Sequence, residues 1–466
     1  MNLTVTPRPA RTLRELLLGM GIPVPSDCGG AGTCGKCRMQ VTGASGTSTV
    51  LACQYSPDRP VRVLLDPGIG RRRAAAAQDV NPDLALAVDV GTTTVSLAAV
   101  DLRQHRVSRY RDVLNPQIVY GADVMSRIGQ ARAVRRAGLD EVIADFMADS
   151  GIGCRRAATA AGNTVMAHFL MGASPARLGA YPYRSGLPLR RVVSGRTTGG
   201  LKVRLLPLLG SFVGSDCTAA ILASGMHRRK RLALLVDAGT NGEVVLGNSE
   251  RLLCCSTAAG PAFEGATLEC GSLAQPGAIR AVDLRGRRLS LETAGGEPPA
   301  TICGSGVLDA VAAGVRWRQI GRSGRLARGK ARFVLHRERD AEVYLSQSDV
   351  REVQLAKAAI AAGIRLLLDE WGAKTSDLEG VYLTGKFGAA LRLSSAMKVG
   401  LLPQVAGTLV RQHGNLALRG AVEATLNPDR LAESERIAGR CTEVMLSGHP
   451  AFEQVFVDSM RFEPWR

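Results

Sequence analysis

The hydrophobic pattern changes period several times along the chain, and each change marks an element. "TLRELLLGMGI", from Thr12 to Ile22, predicts an amphipathic helix. "CRMQVTG" and "VRVLLD" alternate instead and predict strands. From Asp66 to Asp83, "DPGIGRRRAAAAQDVNPD" has no hydrophobic period and reads as a linker, helical in part at its alanines. Beyond it an apolar strand appears twice. "LALAVDVGT" starts at Leu84 and "LALLVDAGT" at Leu232, and they agree at seven of nine positions, 148 residues apart. Each breaks at an aspartate into a Gly-Thr turn and continues as "TTVSLAAVDL" or "NGEVVLG", which is a β-hairpin. A hairpin recurring once per half-chain predicts a duplicated pair of subdomains facing each other across a cleft.

Composition sets the scale of this picture. A chain of 466 residues needs two or three domains. With 45% hydrophobic and 21% charged residues it is globular. No apolar run reaches the roughly 18 residues of a spanning helix. The N-terminus has no small-residue cleavage site before its cysteine motif, so it does not read as a secretory signal. A cytoplasmic protein is expected, with no membrane contact. The formal charge of +18 invites a nucleic-acid reading, with arginine clusters at Arg71–Arg73, Arg228–Arg231 and from Arg316 onward. Aromatics are only 4%, however, and no nucleic-acid motif stands beside the clusters. Solvated basic loops are the simpler reading, and nucleic acid is not expected as a partner.

Eleven cysteines in a reducing compartment read as ligands and core thiols rather than disulfides. Three of them crowd into "CGGAGTCGKC". Cys28, Cys34 and Cys37 give C-x5-C-x2-C, and Cys53 follows in "VLACQYS". This is close to the plant-type [2Fe–2S] pattern and a poor fit to a zinc ribbon. Four thiolates around two irons concentrate negative charge, and closely approaching backbone N–H groups offset it. Gly29, Gly30, Gly32 and Gly35 let the backbone come that close. Helix, loop and strands together predict a small α+β, β-grasp ferredoxin domain. Cys154, Cys217, Cys254, Cys255, Cys270, Cys303 and Cys441 have no ligand spacing and read as buried small apolar residues. His168, on an apolar helix, reads as a satisfied core histidine.

The repeated turns suit phosphates. Small residues expose backbone N–H groups, threonine hydroxyls add donors, and an aspartate at a strand end can hold hydrated Mg2+. Two hairpins from opposite subdomains would clamp one triphosphate. "GVYLTGK", ending at Lys386, has a P-loop spacing, but Phe387 stands where Ser or Thr is required and its middle reads as strand.

The order of "DVGTTT", "VGSDCTAAILASG", "DAGTNGE", "VYLTGKFG" and "GNLALRGAVEATL" resembles the acetate and sugar kinase, heat-shock chaperone and actin superfamily. In that family these are phosphate 1, connect 1, phosphate 2, adenosine and connect 2, and the two connect helices cross closely at a hinge. The resemblance implies a two-lobed α/β actin-like ATPase domain, duplicated and ribonuclease H-like, behind the ferredoxin domain. Domains are expected at 1–66 (ferredoxin), 67–83 (linker), 84–231 (first lobe) and 232–466 (second lobe). "TICGSGVLDA" supplies a further Gly-Ser-Gly turn beside the nucleotide. With a [2Fe–2S] domain ahead of such an ATPase, the chain resembles the reductive activators of corrinoid proteins. Further shared stretches, "NPQIVYGADVMSRI", "AAGNTVMAHFLMG" and "STAAGPAFEGA" among them, extend over nearly all of it.

That resemblance implies ATP-dependent return of a corrinoid protein from Co(II) to Co(I) for methyl transfer. Asp89 and Asp237 would position Mg2+ and the attacking water, with Glu243 or Glu264 orienting that water. Thr92, Thr93, Thr94, Thr240 and Asn241 would hold phosphate oxygens, beside Gly91 and Gly239. Gly304, Ser305, Gly306, Gly385 and Lys386 would line the nucleotide. The partners implied are a corrinoid protein of a methyltransferase system and an external low-potential electron donor, with a homodimer as the candidate assembly. The linker would let the cluster swing between donor and corrinoid. Two features depart from the pattern. The extra middle domain of larger relatives is expected to be missing, and the C-terminal tail carries only Cys441. A redox-sensing ATP-binding regulator and a ferredoxin-fused small-molecule kinase are the competing readings.

Overall fold

The computed structural model describes residues 2–7, 11–19, 24, 37–43, 46–64, 80–121, 123–134, 138–154, 156–197, 199–239, 241–265, 267–338 and 341–465. The chain divides into two compact units, Met1–Leu206 with Ala421–Leu431, and Pro207–Gly420 with Ala432–Arg466.

The first unit opens with a small α+β domain. Strands β1 (Asn2–Val5), β2 (Arg38–Gly43), β3 (Gly46–Leu51) and β4 (Val61–Leu64) form a sheet in the order β1-β4-β2-β3, antiparallel at every step. The predicted helix is present as Leu13–Gly19. Thr12 and Glu15 close its start reciprocally: the Thr12 N–H donates to Glu15 Oε2 at 2.9 Å, and the Glu15 N–H to Thr12 Oγ1 at 3.3 Å. Leu13, Leu16 and Leu17 face the sheet and pack with Val5, Val41, Val61 and Val63. Alternation does the rest, since Val61 and Val63 are buried while Arg62 and Leu64 are exposed.

The rest of the first unit is built on six strands: β5 (Leu84–Val90), β6 (Thr94–Asp101), β7 (Arg106–Leu114), β8 (Ala158–Gly162), β9 (Val193–Arg196) and β10 (Lys202–Leu205). Their order is β7-β6-β5-β8-β10-β9. The β5–β6–β7 meander is antiparallel, and β8 runs parallel to β5 and to β10. The second unit repeats the plan with β11 (Ala233–Ala238), β12 (Gly242–Gly247), β13 (Leu252–Thr257), β19 (Gly380–Thr384) and β20 (Val410–Gln412). Here β11–β12–β13 is the antiparallel meander, and β19 is parallel to β11 and to β20. Strand β21 (Cys441–Glu443) is added beyond β13. Three more pieces lie between β13 and β19: β14 (Ala278–Arg285), β15 (Arg288–Thr293) and β16 (Thr301–Ile302) in one sheet, and the hairpin of β17 (Arg332–Glu338) and β18 (Ala341–Ser346). The repeated nine residues therefore mark the first strand of two equivalent sheets. Both copies are buried nearly throughout, the mark of a central strand covered on both faces.

Two alanine- and glycine-rich helices, Ser215–Ser224 and Leu416–Leu426, are the predicted connecting helices. They touch through backbone. A Cβ added at Gly420 would lie 2.2 Å from the carbonyl oxygen of Ala219, so no side chain fits there. Among the described residues no helix is long and apolar enough to cross a membrane.

Candidate functional site

The thiols come first. Cys37 and Cys53 are buried in the core of the small domain, and their Sγ atoms lie 3.2 Å apart. Neither is in a disulfide. The Ala52 N–H donates to the Cys37 carbonyl at 3.0 Å, which brings the turn carrying Cys53 against Cys37. Gln54 Nε2 approaches Cys53 Sγ at 3.8 Å, a donor of the kind that offsets thiolate charge. Two converging soft ligands with an amide donor beside them fit one half of a [2Fe–2S] ligand set. Cys28 and Cys34, with Gly29, Gly30, Gly32 and Gly35, lie outside the described residues. Among the described residues no three His, Cys, Asp or Glu side chains gather as a complete metal cage.

In the first unit, Asp89 sits near the end of β5 opposite Ser96 and is 9% exposed. The turn that follows, Gly91 to Thr94, is tied down from behind. The Gly91 N–H donates to the Thr94 carbonyl at 3.0 Å, and a Cβ on Gly91 would meet that oxygen at 2.7 Å. Asn115 Nδ2 donates to the Gly91 carbonyl at 2.7 Å and the Asn115 N–H to the Thr93 carbonyl at 2.8 Å. Arg127, with no exposed surface, donates from Nη2 to the Thr92 carbonyl at 2.6 Å. Asn163 Nδ2 reaches Thr92 Oγ1 at 3.4 Å. The turn's carbonyls are thus held by protein, a backbone arrangement that suits anion binding at its N–H groups. Sequence reading missed Asn115, Arg127 and Asn163. "NPQ" and "GNT" carried only the polar cap signal of the following helices.

In the second unit, Asp237 stands opposite Glu243 in the β11–β12 pair and opposite Thr384 in β19. Asn241 lies just before the return strand, and Thr240 lies outside the described residues. A carboxylate that sequence reading passed over joins them. Asp216, in the first turn of the helix Ser215–Ser224, is pushed up to about 7 by burial, and the charge of Asp237 adds to the rise. Its Oδ1 accepts the Cys217 N–H at 2.7 Å, which works the other way. The signal was present in "GSDCTAAILAS", where one acid opens a helix of small and apolar residues. A part-buried, perturbed acid under the influence of a second acid is what a proton-handling site requires.

The glycines of the remaining loops have packing reasons. Gly385, at φ +83, has its N–H on the Gly414 carbonyl at 3.2 Å, and an added Cβ would sit 2.5 Å from Asp237 Oδ1. Its backbone therefore presses on the carboxylate of Asp237. Lys386 is exposed in the first turn of the helix Gly385–Ala390. A Cβ at Gly304 would fall 1.7 Å from the Phe263 carbonyl oxygen, and one at Gly306 2.1 Å from that of Ile279. Ser305 Oγ donates to the Arg280 carbonyl at 2.8 Å. These residues seat the helix Gly304–Arg316 close to its neighbours and leave its first-turn N–H groups as the part able to meet an anion. Gly304→Ala should destabilise the second unit by about 3 kcal/mol, the upper end for overpacking, because backbone rather than a mobile side chain is in the way. A urea melt will measure it, and an unchanged midpoint would show that the Phe263 turn yields freely.

His168 is a core residue as expected. It is fully buried, Nδ1–H donates to the Thr164 carbonyl at 2.7 Å, and Nε2 accepts the Gly186 N–H at 2.9 Å. Two thiol expectations need correction. Cys154 is exposed, and Cys270 is only half-buried. Cys217, Cys254, Cys255, Cys303 and Cys441 are buried. Burial pushes the Cys217 and Cys255 thiols up and adds to the effect of Cys441 on Cys254.

Three family models cover the chain. Residues 2–58 match the 2Fe–2S iron–sulfur cluster binding domain, 84–229 the RACo middle region, and 231–464 the C-terminal ASKHA domain of RACo. The chain is 31% identical over 427 residues to the corrinoid activation enzyme RamQ of Eubacterium limosum, covering 82% of this chain and 70% of that one. The chain belongs to the RACo family. A second relative, the [Co(II) methylated amine-specific corrinoid protein] reductase of Methanosarcina barkeri, is 27% identical over 299 residues, covering 59% of this chain and 54% of that one. In structure, the RACo-family fold is that of a reductive activator for corrinoid, iron–sulfur protein. The TM-score is 0.73 at 26% identity, over 99% of this chain and 98% of the other. The fold class, a ferredoxin domain followed by an actin-like ATPase domain, holds. The stretch that matches the RACo middle region, 84–229, is the one expected as the first ATPase lobe. The chain is thus an iron–sulfur, ATP-binding member of a family of activating enzymes.

Proposed function

We propose that this chain uses ATP to drive reductive activation of a corrinoid protein, delivering one electron to Co(II) and leaving Co(I) ready for methyl transfer. The observation that carries the reading is the union, on one chain, of converging cluster thiols with two Asp-x-Gly-Thr hairpins on equivalent strands, in a fold matched end to end by a corrinoid-protein activator. The [2Fe–2S] group, held by Cys28, Cys34, Cys37 and Cys53, supplies a one-electron donor at roughly −400 mV. An external low-potential donor restores it. The corrinoid couple is harder to reduce still, so binding and hydrolysis of ATP must favour a conformation in which the cobalt accepts the electron.

The nucleotide work falls to the chain's own groups. Asp89 and Asp237 would each offer a carboxylate to Mg2+, a cation that typically takes one or two carboxylates and would neutralise phosphate charge. Gly91–Thr94 and Gly239–Asn241 offer N–H and hydroxyl donors to phosphate oxygens. Residues 1–66 carry the electron, and 84–231 and 232–466 the nucleotide chemistry. Glu243 or Glu264 would orient the attacking water, and Asp216 would accept its proton, since its affinity for a proton is already raised to about 7. A base poised near neutrality is the effective kind. Asp216→Asn should lower ATP turnover about 100-fold at pH 7 and remove the acid limb of the pH–rate profile. The same raised affinity favours the protonated form in the native state. The stability it contributes is full at acid pH and is lost as pH rises through about 7, so the Asn variant should lack that decline. A turnover and melting series from pH 5 to 9 tests both. An unshifted acid limb would exclude Asp216 as the base.

The experiment that tests the whole reading is anaerobic spectroscopy of a corrinoid protein mixed with this chain, reductant and ATP. Co(I) bands should appear with ATP and not without it. Their absence from every such mixture would overturn the assignment.

A further inference from the structure

The cluster domain and the phosphate turn of the first unit are linked by a short run of bonded groups, and Arg14 lies in the middle of it. Arg14 belongs to the ferredoxin helix Leu13–Gly19 and is 8% exposed. Its backbone N–H donates to the Ala52 carbonyl at 2.9 Å, and the Leu13 N–H to the Tyr55 carbonyl at 2.7 Å, so the helix start is fixed to the turn that carries Cys53. Its side chain points the other way. Nη2 donates to the carbonyl of Val119, in the 3-10 helix Pro116–Tyr120.

That 3-10 helix is gripped at both ends by the groups that hold the phosphate turn. Asn115 caps its start, accepting the Gln117 N–H on Oδ1 at 2.9 Å while bonding Gly91 and Thr93. Gly121 ends it, and the Gly121 carbonyl accepts Arg127 Nε at 2.9 Å while Nη2 of the same guanidinium holds Thr92. Gly121 has φ +151, and a Cβ there would meet Ser126 Cβ at 2.5 Å, so the position admits only glycine without rearrangement. Cys53, Arg14, Val119, Arg127 and Thr92 are thereby tied in one chain of contacts.

We propose that Arg14 is a positioning residue through which occupation of the Gly91–Thr94 turn favours the docked position of the cluster domain. The inference rests on the reading of that turn as a phosphate site. The direction follows from peptide polarisation. The Thr92 carbonyl and the Thr93 N–H belong to one peptide unit, as do the Gly91 carbonyl and the Thr92 N–H. A phosphate accepting from either N–H makes the carbonyl at the other end a better acceptor. Nucleotide therefore tightens the bonds from Arg127 and Asn115, which steadies the 3-10 helix that receives Arg14. Linkage makes the effect reciprocal, and loss of the Arg14 contact must weaken ATP binding.

The test uses the full-length holoprotein. Cys154, exposed in the first unit, takes a nitroxide, and the reduced cluster is the second spin. In the wild type a non-hydrolysable ATP analogue should narrow the nitroxide–cluster distance distribution. Arg14→Ala should keep the cluster spectrum and the kcat for ATP hydrolysis, raise KM for ATP about five-fold, and leave the distribution unresponsive to nucleotide. Arg14→Lys, which keeps charge and stem, should recover part of the response. If Arg14→Ala loses its cluster, the Lys variant is judged by the same two readouts against wild type. An Arg14 variant that narrows like wild type, or an unchanged KM, overturns the proposal. Wild type that binds nucleotide without narrowing also overturns it, whereas wild type that binds no nucleotide at all refutes the phosphate reading beneath it.

Discussion

Asp89→Ala and Asp237→Ala, made singly, will each reduce ATP hydrolysis and ATP-dependent Co(I) formation at least 100-fold to 1,000-fold, the range for removing one preorganised electrostatic group from a transition state. Both aspartates end a first strand whose neighbours are apolar and buried, Val88 and Val90 in one case, Val236 and Ala238 in the other. Truncating the carboxylate leaves those contacts in place. The effect should therefore appear in turnover rather than in folding, and circular dichroism melts should stay close to wild type. The visible spectrum of the cluster should also be unchanged, because the ferredoxin core contains neither residue. Asp237 has a second consequence. Its charge helps to raise Asp216, so in Asp237→Ala the remaining Asp216 should titrate lower. Steady-state ATPase assays with and without Mg2+ decide the matter. Full turnover in either variant would make that hairpin a structural repeat.

The hairpins were legible because their signal is local and doubled. Nine residues reappear with the same break from apolar strand to Asp-x-Gly-Thr, and the two sheets reproduce one strand order around them. The ferredoxin helix was equally plain, since leucine spacing and the Thr12–Glu15 cap agree. What escaped is set by contacts between distant segments. Arg127 looks in sequence like any surface arginine of a short helix, and only the fold buries it behind Thr92. Asp216 becomes a perturbed acid because the fold takes it out of water and brings the charge of Asp237 to bear on it. Gly304 and Gly306 were read for the anion they might meet, while the carbonyls of Phe263 and Ile279 account for their lack of a side chain. Cys154 lacked ligand spacing and was placed in the core, but spacing says nothing about exposure.

Cys37→Ala and Cys53→Ala will each abolish electron delivery while leaving ATP hydrolysis intact. The wild-type protein, purified without oxygen, should hold two irons and two acid-labile sulfides per chain, as a [2Fe–2S] centre requires. Cys37 is 1% exposed and its sulfur lies 3.2 Å from that of Cys53, so either substitution removes one of two adjacent buried thiols. Each variant should lose the visible bands and the reduced-state electron resonance signal. Co(I) formation should fall to background, because no other described group on the chain can carry the electron. Hydrolysis should persist because the second unit has its own large core, from Leu232 to Trp465, in which no ferredoxin residue takes part. The two losses separate the roles of the two ends of the chain: the aspartates stop both reactions, the cysteines only one. One zinc per chain in place of iron, or Co(I) formation by a cluster-free variant, would remove the basis for the electron-transfer assignment.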